Sequence, residues 1–256
     1  MKIARAACFV CLIFAGFPVF AQVSANICGP LANSDFGPYD FRPNKFKSDD
    51  MDSYTHKLWL VESAHFRPRV ESLIGGNRDN SKEPPGGDID YTLRAFPNHH
   101  RALMAVMNYG ERKKSQQPAG LRYTVECYFE RAIRFKPDDT IARMIYATYL
   151  TKNSRTPEAV SQLQISASFA ADNAFTHYNI GLVYFDMKNY AKALVQAHAA
   201  MALGFERTEL RDLLKRVNQW QDPKTEARAD STVQPASQSV SQPIGDAAPF
   251  EQKLKQ

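Results

Sequence analysis

The sequence predicts an all-α chain: an α-solenoid of about three helix pairs, closed by a C-terminal capping helix and preceded by an irregular N-terminal segment. Three observations carry this expectation. Small and aromatic residues return at a 34-residue period through the middle of the chain. Within each period the apolar residues follow three-four spacing, and residues 207–220 form a separate amphipathic stretch. A period of this size marks stacked supersecondary units that bury their apolar faces against one another. With 256 residues, 44% of them hydrophobic, the chain is large enough for such a core, and a wholly disordered chain is excluded.

Taken in order, the first element is an address. Lys2 and Arg5 precede the uncharged run Ala6–Phe17, which is followed by Pro18 and the small-residue site Val19-Phe20-Ala21. This describes a secretory signal peptide over residues 1–21, with Ala25 a second cleavage point. An uncleaved anchor is the competing reading, but the 16 uncharged residues from Ala6 to Ala21 fall short of a spanning helix. The mature chain is therefore expected to be periplasmic or secreted, without an integral membrane span. Export also orders the cysteines. Cys8 and Cys11 lie in the leader, and Cys28 and Cys127 remain, an even number in an oxidising compartment. They read as a disulfide tying the N-terminal segment to the body, with two unrelated buried thiols as the alternative.

Residues 22–97 form the N-terminal segment. Gly29-Pro30, Gly37-Pro38 and Arg42-Pro43, with Phe36, Phe41 and Phe46 between them, read as irregular chain anchored by aromatics. Residues 54–74 hold one or two short helices, Pro68 at a start and Gly75-Gly76 at a stop. Asp88–Phe96 reads as another short helix, and Asn98 as the N-cap of the next.

The repeat domain spans 98–220. Gly181 falls 34 residues after Ala147, Tyr184 after Leu150 and Ala193 after Ala159. Gly110 precedes Ala147 by 37, a period plus a three-residue insertion placed at Gln116–Gly120. Leu121, Val125, Phe129 and Ala132-Ile133 make one helical stripe; Pro137 ends that helix and Asp138-Asp139 opens the next. From Arg207 to Trp220, Leu210, Leu213, Leu214, Val217 and Trp220 face one way and charges the other, as a terminal cap requires. Residues 221–256, rich in Ser, Gln, Pro and Ala without periodicity, read as a disordered tail.

On these residues the chain resembles the tetratricopeptide repeat (TPR) family. Ile180, Gly181, Tyr184, Tyr190, Ala193 and Ala200 match the repeat pattern, while His177 and Phe205 depart from its usual Trp and Pro. The resemblance implies a concave groove lined by the first helix of each pair, which binds a peptide or partner segment. Carried over by position, its residues are Ile141, Met144, Thr148, Phe175, Tyr178, Asn179, Leu182 and Phe185. Asn179 is placed to bridge a peptide backbone, and Tyr178 and Phe185 are the aromatic anchors.

Other functions find less support. The 32 Lys and Arg against 27 Asp and Glu, two of the positives in the leader, are too little for a nucleic-acid partner. There is no G-x-S-x-G, P-loop, G-x-G-x-x-G or H-E-x-x-H. A metal-dependent or hydrolytic site could be assembled from His65 and His99 with Glu62 and Asp88. Against it, His99 and His100 are adjacent and point about 100° apart on a helix. The bland reading, a hydrogen-bonded histidine at a helix start, is preferred. The expectation is a non-enzymatic interaction module assisting an envelope complex, with no cofactor; a self-associating scaffold is the other alternative.

Overall fold

The structure, a computed structural model, describes residues 28–31, 36–42, 51–78 and 82–223. The expected leader and all of the expected tail beyond residue 223 lie outside the described residues, as does Phe46. Among the described residues the chain is all-helical, with ten helices and no strand. They are α1 (Met51–His65), α2 (Pro68–Glu71), α3 (Gly86–Ala95), α4 (His100–Lys113) and α5 (Val125–Phe135). Then follow α6 (Thr140–Lys152), α7 (Thr156–Ala170), α8 (Ala174–Asp186), α9 (Tyr190–Ala202) and α10 (Glu209–Arg216). None of these helices is long and apolar enough to cross a membrane.

Local chemistry sets most of the starts. Thr124, Asp139, Asn173 and Asn189 each accept a backbone N–H from the residue three positions on, capping α5, α6, α8 and α9. Pro68 opens α2 at its first turn, where its missing N–H costs nothing. The cap of α4 is a correction. His99, not Asn98, occupies the position, its Nδ1 accepting from Ala102 N at 3.2 Å. Asn98 is fully buried instead and bonded to other elements.

Short turns join α6 to α7 and α8 to α9, so each pair lies antiparallel and packs closely. Between α4 and α5 the chain makes a longer loop holding the expected insertion at Gln116–Gly120. It passes so close to the start of α3 that a Cβ on Gly86 would lie 2.1 Å from Ala119 O. One apolar core runs from Phe66 and Val70 through Leu103, Phe129, Ile145, Ala147, Leu163 and Ile180 to Leu210 and Leu214. A second cluster joins Tyr54 and Val61 of α1 to Ala95 and Phe96, with Phe36, Tyr39 and Phe41 packed on it. The N-terminal segment is thus built into the body. The expected closing helix is shorter than the sequence suggests, Glu209–Arg216, with Leu210 and Leu214 buried.

Candidate functional site

The expected groove residues fall on α6 and α8, and the structure divides them. Ile141, Thr148, Phe175 and Phe185 keep partial exposure, while Met144, Tyr178, Asn179 and Leu182 are buried. The Tyr178 ring lies 4.7 Å from that of Phe205, and its hydroxyl donates to Glu209 Oε2 at 3.1 Å. Asn179 Nδ2 donates to Phe175 O of its own helix at 2.7 Å. In this conformation Tyr178 and Asn179 are therefore core residues and not surface contacts. For Tyr178 the cause is α10, which packs against α8 where Gly181 has no side chain to exclude Leu210.

The open portion lies upstream, between the C-terminal ends of α4 and α6. A cleft of about 290 Å³ has Met107, Gly110, Val125 and Tyr149 among its lining, with Glu111, Lys114, Lys152 and Asn153. Lys152 Nζ sits 2.6 Å from Glu111 Oε2, both side chains well exposed. An exposed pair of this kind contributes about 0–1 kcal/mol, so a ligand can displace it at little cost. On α6, Ile141, Met144, Thr148 and Lys152 are spaced three, four and four apart and share one face, so the cleft extends the expected groove line. Met107 and Glu111 were not among the expected residues. Yet each precedes its counterpart, Met144 and Thr148, by the same 37 residues that separate Gly110 from Ala147. That offset was the signal that could have found them.

The histidines form no joint centre. His65 Nδ1 lies 2.8 Å from Asp88 Oδ1 and its ring stacks on Tyr91. His99 Nε2 pairs with Glu62 Oε1 at 3.0 Å while its Nδ1 caps α4, so both nitrogens are occupied. Burial pushes the His99 pKa down, opposed by the Glu62 carboxylate. The ring is the neutral tautomer that donates from Nε2 and accepts at Nδ1. Its faces lie against Phe41 and Phe66, at the junction of the N-terminal segment with α4. His100 Nε2 turns to Asp139 at 3.0 Å. Among the described residues no group of three or more His, Cys, Asp or Glu is arranged to hold a metal. Cys28 and Cys127 are joined, their Cα atoms 5.0 Å apart, in place of two separate thiols.

Two further features escaped the sequence. Asp40, Arg42, Asn98, His100, Asp138 and Asp139 make one polar knot that fastens the N-terminal segment to the start of α6. Burial by itself pushes the Asp40 pKa up, but hydrogen bonds from Arg42 and Asn98 outweigh it and hold the carboxyl at about 2. Arg131, on α5, is buried beneath residues 28–30. Compared with known proteins, the chain matches no family model, and no curated protein sequence matches it either.

Proposed function

We propose that the chain is a TPR-like solenoid, exported to the periplasm or secreted, that works as a non-enzymatic interaction module for an envelope complex. It binds an extended peptide or partner segment along the faces of its first helices. The observation that carries this reading is the α4–α6 cleft, with an apolar floor at Met107 and Tyr149 and a displaceable Glu111–Lys152 pair at its rim. The antiparallel pairs, the small residues at Gly110, Ala147 and Gly181, and the capping position of α10 support the solenoid assignment. Partner contacts are assigned to the exposed upstream part of the groove, Ile141, Thr148 and the cleft, and no longer to Tyr178 and Asn179.

The test is photo-crosslinking in intact cells from position 114 on the cleft rim. The expected result is one dominant protein adduct that disappears in a Lys152→Glu background. A self-adduct would replace this reading with the scaffold. Absence of any adduct from a folded, expressed chain would overturn the groove assignment.

A further inference from the structure

The α4–α6 cleft says more about its occupant than that it is extended. At about 290 Å³ it lies at the foot of the range for small-molecule pockets, about 300–1,000 Å³, and suits one large side chain. Its floor is apolar and well supported. Met107 and Val125 are 2% exposed, and Gly110 admits Val125, since a Cβ there would stand 2.8 Å from Val125 Cγ2. The Tyr149 ring packs against that of Phe129, their centroids 5.2 Å apart, and is held in place.

The rim is not neutral. Lys114, Lys152 and Glu111 line it, two cations against one carboxylate. That carboxylate is already taken, because Glu111 Oε2 lies 2.6 Å from Lys152 Nζ. The Lys114 ammonium has no ion-pair partner among the described residues. The next acid beyond Val125, Glu126, is committed to Tyr146 and Arg155. Arg112 turns the other way, donating to Ser72 O and Leu73 O. The last carbonyls of both helices, which would otherwise favour a cation, are met by their own caps. Gly110 O and Glu111 O accept from Ser115 N and Lys114 N, and Tyr149 O and Leu150 O from Asn153 N and Arg155 N. The charge at the rim without a counterpart is therefore positive.

We propose that the cleft selects an acidic partner segment. One apolar side chain, Phe or Leu, enters between Met107 and Tyr149, while flanking carboxylates pair with Lys114 and take Lys152 from Glu111. This rests on the groove reading above and adds the chemistry of the partner to it. Glu111 is then a competitor within the chain: it holds Lys152 and repels an incoming carboxylate. Rim charges of this kind act on selectivity and on the rate of encounter, and salt weakens both.

The probes are three fluorescein-labelled peptides of equal length, each with one central Phe, flanked by Glu, by Gln or by Lys. Their binding to the full chain is read by fluorescence anisotropy at low salt. The Glu peptide is expected to bind about tenfold more tightly than the Gln peptide and to lose that margin in molar salt. Glu111→Gln removes the competitor and should tighten the Glu peptide about threefold, while Lys114→Gln should weaken it by a similar factor. Both residues are exposed, so folding is not at stake. A preference for the Gln or Lys peptide, equal binding of all three, no binding by any, or weaker binding of the Glu peptide to Glu111→Gln would each overturn the proposal. Crosslinking from the cleft rim separates this failure from failure of the groove. An adduct in cells without a charge preference here removes the acidic assignment alone; the lack of an adduct removes the groove reading itself.

Discussion

Asn98 shows how one side chain can join three parts of a chain. Its Nδ2 donates to Asp40 Oδ1 and to Asp139 Oδ2, each at 2.7 Å, and its Oδ1 accepts from Phe41 N at 2.9 Å. Removing it leaves two buried carboxylates short of a donor, and hydrogen bonds to charged groups are worth about 1.5–3 kcal/mol each. Asn98→Ala should therefore lower the unfolding free energy by about 3 kcal/mol or more, measured by urea denaturation. The same knot sets an acid limit. Asp40 is held at about 2 against an ordinary 3.8, and Asp139 is lowered as well, despite the burial that opposes both shifts. A depressed folded pKa contributes stability in full above the unfolded value, and that stability is lost as pH falls through the folded one. The urea midpoint should thus fall between about pH 4 and pH 2, and Asp40→Asn should flatten part of that slope. None of this was legible beforehand. By residue type Asn98 has the stronger claim to the cap, but Asp40, arriving from 58 residues away, takes its amide and the position falls to His99.

The start of α6 was legible because capping is local: Asp139, beside its helix, satisfies an N–H three residues on, and Thr124, Asn173 and Asn189 do the same for α5, α8 and α9. The docking of α10 was not, since its apolar face states that it packs but not upon what. The glycine at 181 decides the matter. A Cβ there would stand 2.4 Å from Leu210 Cδ2, and Leu210 is 1% exposed, so the leucine must shift to admit it. Gly181→Ala should cost about 1–3 kcal/mol through overpacking. It should also raise hydrogen exchange selectively across residues 205–216, the element it pushes away. Uniform protection across α8, α9 and α10 in that variant would contradict the assigned packing. Tyr178 was read as a groove contact because it occupies a groove position in the repeat, and repeat position alone does not say which face a terminal helix will cover.

Across the whole molecule the largest single tie is the bond between Cys28 and Cys127, 99 residues apart. Cysteine parity and the expected leader made this pairing readable, while its partner interactions with Arg131 were hidden in an unremarkable Gly-Pro segment. Closing a loop near 100 residues stabilises by about 4.7 kcal/mol in the chain-entropy model. The double variant Cys28→Ser, Cys127→Ser should approach that loss in equilibrium unfolding while leaving helical content unchanged in water. The all-helical class followed from period and spacing. The cleft, the knot and the Arg131 seat did not, because each is made by residues that meet only after the chain has folded back on itself.

The same bond determines how the molecule carries tension. A pull applied to the two ends enters at residue 28, crosses sulfur to residue 127 and continues through α5, so α1–α4 sit in a shunted loop that bears no load. However far the rest is drawn out, that loop withholds its contour, about 340 Å for 99 residues at full extension. While the bond holds, the protein is a short tether; once it is cut, a long one.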